Sequence, residues 1–366
     1  MRIELVRRAE HSRLMVWASP LLAVAITLVI AVGIFAAMGA DPLEALYIFF
    51  VEPLTAGWSL QELVVKAIPI TLIAIGLSLC YMSNTWNIGA EGQFTAGAIL
   101  GSLFPIVFPG WTGPLVLPAM LLFGILGGML YAAIPALLKI RFGANEILTS
   151  LMLVYVAQLL LDWIVRGPWR NPDGYGFPES RVFDASAQMP LLVDGGRMHI
   201  GLVFVFVAVL VVWFTMGRTL TGFQIRVLGQ APRAGAFAGF SQNRMVLFTF
   251  LVSGGLAGLA GIMEVAGPIG QLRPSISPGY GFTAIIVAFL GRLHPVGILI
   301  AGFVLALTYL GGEAAQVALG MSDKVMRVFQ GLLLFLVLAC DTLIYYRVRL
   351  VRPVADPLGG AVHGRG

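Results

Sequence analysis

WASPLLAVAITLVIAVGIFAAM, residues 17–38, runs for 22 positions without a charged side chain. As a helix at ~1.5 Å per residue it would reach roughly 33 Å, enough to cross a bilayer core of about 30 Å. It is too long for the apolar core of a cleaved signal, roughly 7–15 residues. Gly39-Ala40-Asp41 is a poor cleavage site, and Arg7-Arg8 lacks the polar spacer of a twin-arginine signal. The stretch therefore predicts a retained first transmembrane helix.

The rest of the chain repeats this pattern. Of its 366 residues, 58% are hydrophobic and 11% are charged, against about 25% charged in soluble domains. Apolar runs fall at about 17–38, 63–83, 88–108, 114–138, 146–165, 200–216, 245–266, 280–291, 295–312 and 325–346. They are continuous rather than alternating, which favours helices over a barrel. The fold class expected is an all-α integral membrane protein, a polytopic bundle of about ten transmembrane helices. The run at 280–291 is short for a span. It fits either a broken helix lining a cavity or a longer helix starting near Ile276.

Ten spans place both termini on one side. That side holds Arg2, Arg7, Arg8, Arg13, Lys139, Arg141, Arg218, Arg226, Arg233, Arg244, Arg292, Arg347, Arg349, Arg352 and Arg365, which is 15 of the 23 basic residues. The other side holds most of the acids, among them Asp41, Glu44, Glu52, Glu62, Glu179 and Glu313. By the positive-inside rule the basic side and both termini are cytoplasmic. Nine or eleven spans would strand a basic terminus outside. Residues 1–350 read as a single transmembrane domain and 351–366 as a cytoplasmic tail. Membrane lipid, not nucleic acid, is the partner that such basic loops imply.

Three connections carry information. Asp41-Pro42-Leu43-Glu44 predicts a short capped outer helix. The external loop 166–199 contains Pro168, Pro172, Pro178 and Pro190, which predict turns rather than a domain. The internal loop 217–244 is basic and rich in Gly and Ala. Cys80 and Cys340 lie inside apolar runs, and the four histidines are scattered, so neither a disulfide framework nor a metal site is expected.

Four motifs interrupt the apolar pattern. Asn84-Thr85-Trp86-Asn87-Ile88-Gly89-Ala90-Glu91-Gly92-Gln93 puts polar groups in the first turns of a membrane helix. A carboxylate there is costly in lipid, so Glu91 faces protein or water. Asn87, Glu91 and Gln93 are either solute-path residues or a structural cap. Asn145 and Glu146, in Gly143-Ala144-Asn145-Glu146-Ile147-Leu148-Thr149-Ser150, fit a helix cap or a gate. The stretch Leu228 to Phe240 has small residues at short spacing. It reads as short helices that dock on another protein, or as a plain basic loop. Ser253-Gly254-Gly255-Leu256-Ala257-Gly258-Leu259-Ala260-Gly261 sets Gly254, Gly258 and Gly261 near one helix face for close packing. Glu264 follows near the outer end of that run. No phosphate-binding GxxxxGK[ST] loop and no nucleophile elbow occur, so the chain has no such device for hydrolysing ATP and is not read as an enzyme.

Together these segments resemble the permeases of the simple-sugar, nucleoside and branched-chain amino acid ABC importers, in the nucleoside-type branch. Asn87 to Gln93, Gly143 to Thr149, Val227 to Phe240, Ser253 to Gly261, Gly279 to Ala288, and the external stretch from Pro168-Trp169-Arg170 to Phe177-Pro178 carry the likeness, in the family's order. Val154, and Ala231-Pro232 in the inner loop, depart from the usual pattern. The resemblance implies a permease in the bacterial inner membrane that imports a nucleoside, or otherwise a simple sugar, by alternating access. Its partners would be a second, similar but distinct permease, cytoplasmic ATP-binding subunits, and a periplasmic or lipid-anchored substrate-binding protein. ATP would be bound by those partners and no cofactor by this chain. The coupling contacts would lie at Gly229, Arg233, Ala234 and Gly239, and the solute path at Asn87, Glu91, Gln93, Asn145 and Glu146. An ion-gradient-driven secondary transporter is the alternative.

Overall fold

The computed structural model describes residues 2–7, 13–193 and 195–351. The expected tail, apart from Val351, and the charges at Arg8, Arg352 and Arg365 lie outside them. Each apolar run of the sequence folds as helix. Helix α1 spans Arg13–Ala37. A short surface helix, α2 (Pro42–Phe50), follows it, and the Asp41 carboxylate accepts from the amides of Leu43 and Glu44. Next come α3 (Gly57–Met82), α4 (Ala90–Gly101), α5 (Leu103–Val107), α6 (Val116–Phe142) and α7 (Glu146–Arg166). The second half contains α8 (Gly201–Arg218), α9 (Leu220–Gln230), α10 (Pro232–Phe237) and α11 (Gln242–Glu264). It closes with α12 (Tyr280–Leu290), α13 (Pro295–Leu319) and α14 (Asp323–Tyr345).

Among the described residues six helices are long and apolar enough to cross a membrane: α3, α6, α7, α8, α11 and α13. The chain is thus a multi-pass helical membrane protein. Its loops gather at two ends, one basic and one acidic. Arg292 binds the Ser19 hydroxyl and Lys139 pairs with Glu146 at the basic end. At the acidic end Glu62 meets Arg197 at 3.0 Å, and Lys66 meets Glu313 at 2.8 Å.

Two runs depart from simple spans. The run at 88–108 is divided by Ser102, which leaves α4 at 12 residues. The run at 280–291 is helical only from Tyr280, giving 11 residues in α12. Of the two readings of that run, the broken helix is the one found. Each piece reaches roughly 16–18 Å, about half a bilayer core. Non-helical chain at 84–89 and 270–279 completes the distance. Beyond α11 the chain forms one π-helical turn, Val265–Ile269, which accommodates Pro268.

The all-helical expectation also missed a small sheet. Strand β1 (Arg2–Arg7) pairs antiparallel with β2 (Tyr346–Val351), so that Arg2 stands opposite Val351 and Glu4 opposite Arg349. Alternating residues such as Ile3, Leu5, Val348 and Leu350 give the two-residue period of a strand. The pairing brings both ends of the described chain together.

Glycine contacts set the centre of the bundle. A Cβ on Gly258 of α11 would lie 2.2 Å from the Gly124 carbonyl oxygen of α6. One on Gly97 of α4 would lie 2.2 Å from the Gly258 Cα, and one on Gly261 would lie 2.0 Å from the Phe94 carbonyl oxygen. Gly254 likewise touches Gly128 and Ala132. In lipid, such backbone-to-backbone approach supplies the dispersion contacts that burial from water supplies elsewhere. By contrast α7 and α8 expose apolar residues, including Leu159, Trp163, Leu210 and Phe214, to lipid or to another subunit.

Two measurements test this packing. Gly258→Ala should cost roughly 1–3 kcal/mol by overpacking and lower the thermal midpoint of the detergent-solubilised protein. Gly33→Ala, with nothing within 4 Å of the added carbon, should leave the midpoint unchanged or raise it. Separately, His199 is buried beside Gly267, and burial pushes its pKa down to about 4. The unfolded chain protonates its histidines near pH ~6.5. The His199 contribution is therefore complete above that pH, lost progressively as pH falls toward about 4, and flat below. The midpoint should fall over that window, and His199→Gln should remove that part of the fall.

Candidate functional site

The two half-length helices meet at their first turns. Gly281, in the first turn of α12, packs so closely on Glu91 in the first turn of α4 that an added Cβ would lie 2.3 Å from the Glu91 nitrogen. The Gly281 amide donates to the Glu91 carboxylate at 2.6 Å. Ser277 supports the junction from the other side. Its hydroxyl oxygen accepts from the amides of Gly279 at 3.0 Å and Tyr280 at 2.9 Å. A buried carboxyl group in the first turn of α4 thus faces the amide-rich start of α12.

Glu91 opens onto a cavity of about 430 Å³. Gln158 of α7, Ser277, Thr283 of α12, Tyr309 of α13, and Arg327 and Gln330 of α14 also line it. A hydrogen-bond chain runs along its wall. The hydroxyls of Thr283 and Tyr309 are 2.7 Å apart, Thr283 donates to Gln330 at 3.3 Å, and Gln330 donates to Thr308 at 3.2 Å. Phe282 and Leu334 supply apolar surface. Apolar walls with a few fixed donors and acceptors are what a small polar solute needs for orientation. Sequence reasoning singled out Glu91 but missed Gln158, Thr283, Tyr309 and Gln330. They come from four different helices, and only folding brings them together.

The other expected path residues stand on either side of Glu91. Asn87 and Gln93 are buried and bind each other twice, each amide donating to the other's oxygen at 3.0 Å. Asn87 also donates to Ser253 of α11 at 3.1 Å and accepts from the Gly89 amide at 3.0 Å. The pair fastens the non-helical segment to the glycine-packed core. Asn145 caps α7, accepting from Ile147 at 2.9 Å and Leu148 at 3.4 Å. Glu146 pairs with Lys139 and accepts weakly from the Trp86 amide at 3.5 Å. Glu146 thus ties the α6–α7 turn to the basic end of the same segment, while Asn145 acts as a helix cap.

The expected coupling residues form a helical hairpin, α9 followed by α10. Thr219 caps α9 by accepting from the Gly222 amide at 3.3 Å. Ile225 and Leu228 bury that helix on the bundle. Gly229 lies directly on the end of α3, where an added Cβ would sit 1.9 Å from the Met82 carbonyl oxygen. Met82 ends α3, one residue before the segment 84–89 that leads to Glu91. Arg233 and Ala234 are exposed on α10, and Phe237 is 95% exposed. Gly239 closes the hairpin with φ +81°, a conformation suited to glycine.

A second cavity, of about 750 Å³, opens at the acidic end. Glu62 and Glu313 line it with Arg197, and Lys66 bonds both carboxylates from the side, at 3.9 Å and 2.8 Å. The sequence placed most of these groups in outer loops and gave no sign that they would interlock. Nearby, Glu264 is buried, and the ring of Tyr280 packs edge-on to that of Tyr309 at 5.5 Å.

Known proteins resemble this chain in sequence. Residues 59–338 match the family described as the permease component of branched-chain amino acid transport systems. The glucose ABC transporter permease protein TsgB13 of Haloferax volcanii is 35% identical over 342 residues, covering 91% of this chain and 90% of that protein. The nucleoside ABC transporter permease protein NupB of Lactococcus lactis is 26% identical over 326 residues, covering 87% and 89%. The guanosine ABC transporter permease protein NupP of Bacillus subtilis is 26% identical over 278 residues, covering 75% and 80%. The chain belongs to this family of ABC transporter permeases.

Proposed function

We propose that this chain is one of two permease subunits of an importer in the inner membrane, crossing it ten times with both termini and the basic end in the cytoplasm. The terminal β1–β2 pairing supports a shared side for the termini. The imported solute is small, neutral and rich in hydroxyls: a nucleoside, or otherwise a simple sugar. The observation that carries this reading is the Glu91 cavity at the junction of two half-length helices. Its amide, hydroxyl and carboxylate groups match a hydroxyl-bearing solute, and its aromatic residues offer a face to a base or a sugar ring. The nucleoside permeases NupB and NupP favour the first solute, and TsgB13 favours the second.

The chain has no ATP-binding loop, so the work comes from cytoplasmic ATPase subunits docked on α10, where Phe237 offers an apolar knob. Motion of the hairpin reaches the Met82 carbonyl through Gly229, passes along 84–89, and moves Glu91 relative to Gly281. The Asn87–Gln93 pair and the contacts of Glu146 and Ser150 make that segment a stiff link. A binding protein at the acidic end delivers the solute, and the second permease, a similar but distinct chain, closes the far side of the path.

Two experiments test this. In vesicles containing both permeases, the ATPase subunits and the binding protein, Gly229→Leu should abolish uptake while ATP hydrolysis persists. Uptake at the normal rate would refute the coupling route, and uptake driven by an ion gradient without ATP would favour a secondary transporter. Glu91→Ala should slow uptake by about tenfold or more, as expected from losing hydrogen bonds to a charged group, and Glu91→Gln should lie between. Competition by unlabelled guanosine or glucose then identifies the solute class. If the Glu91 variants lose folded protein and uptake in equal measure, the residue is structural only.

A further inference from the structure

A third cavity, of about 270 Å³, lies at the basic end between α8, α9 and the α12–α13 turn. Trp213 and Met216 of α8, Arg226 of α9, and Arg292 and His294 of the turn line it, and no carboxylate does. Arg226 is exposed and makes no ion pair within the described residues. Arg292 donates to the Ser19 hydroxyl, which also ties α1 to the cavity wall. Arg292 and Leu293 both have φ 55°, a left-handed conformation that non-glycine residues seldom adopt in succession. That turn sets Arg292 and His294 on the same cavity.

Above the cavity, α8 exposes an apolar stripe of Val203, Val207, Leu210, Val211 and Phe214. Trp213, half exposed at the basic end of this helix, has the position of an interfacial aromatic anchor. A ligand that fits both parts has an anionic head and an apolar tail. Guanidinium groups bind phosphate oxygens through paired N–H donors, and basic pockets between membrane helices on the cytoplasmic side accept phospholipid headgroups.

We propose that this cavity binds the phosphodiester headgroup of an anionic phospholipid from the cytoplasmic leaflet, with its acyl chains lying along α8. The leaflet rests on the orientation proposed above, whereas the site itself does not. Because α9 and the α12–α13 turn share the cavity, a bound lipid joins the coupling hairpin to the half-length helix α12.

The test compares the protein in nanodiscs of phosphatidylcholine with the protein in discs containing phosphatidylglycerol as well. The thermal midpoint should rise with the phosphatidylglycerol fraction. The combined variant Arg226→Gln, His294→Gln should lose at least half of that rise, whereas Arg141→Gln, at an exposed basic residue away from the cavity, should keep it. The midpoint in phosphatidylcholine alone verifies that each variant is folded. Native mass spectrometry should show the combined variant retaining fewer phosphatidylglycerol molecules per chain. An equal rise and equal retention in wild type and the combined variant would overturn the proposal. An equal rise on adding inorganic phosphate to phosphatidylcholine discs would overturn the lipid assignment in favour of a soluble anion. Labelling of Arg141→Cys from outside intact cells would overturn the orientation, and with it the leaflet, while the lipid-dependent rise still decides the site.

Discussion

The bond between the Glu91 carboxylate and the Gly281 amide is the contact on which the rest of this architecture depends. A broken helix inside a membrane exposes backbone groups that lipid cannot satisfy. Here the breaks are satisfied internally. The amides of Trp86, Ile88 and Gly89 reach Glu146, Ser150 and Asn87, and the free first turn of α12 reaches Glu91 and Ser277. From the first turn of α4 the Glu91 side chain satisfies the start of α12, and it adds to the polar wall of the cavity beside it. The Gly281 amide offsets part of the cost of burying that carboxyl group.

Rigid surroundings make such a junction useful. The glycine faces of α4, α6 and α11 touch backbone to backbone, so those helices present a fixed body. The segment 84–89 is pinned to that body by Asn87 and Ser253, and at its basic end it adjoins the point where Gly229 rests on Met82. A displacement of the α9–α10 hairpin has only a short path to Glu91.

Much of this was legible in the sequence, for identifiable reasons. Long apolar runs must be helices in lipid, so the bundle followed from composition and spacing. Glu91 stood out because a carboxylate in a membrane helix is expensive, and Gly254, Gly258 and Gly261 stood out because they recur on one face. The Asp41 cap was readable from local chemistry. Thr283, Tyr309 and Gln330 were not, because a neutral hydroxyl or amide costs little and marks no period; their meaning lies in contacts between α12, α13 and α14. The Glu62–Lys66–Glu313–Arg197 network was hidden for the same reason, its members being up to 251 positions apart in the chain. The terminal strands were overlooked because each is short and finds its partner at the opposite end of the sequence.

The most direct measurement is the reactivity of Phe282→Cys, placed in the Glu91 cavity, toward a membrane-impermeant thiol reagent applied to either face of vesicles containing the assembled transporter. Both native cysteines, Cys80 and Cys340, are buried. The account requires the reactive side to switch when ATP is bound to the partner subunits. Reactivity from the same side with and without ATP would contradict it.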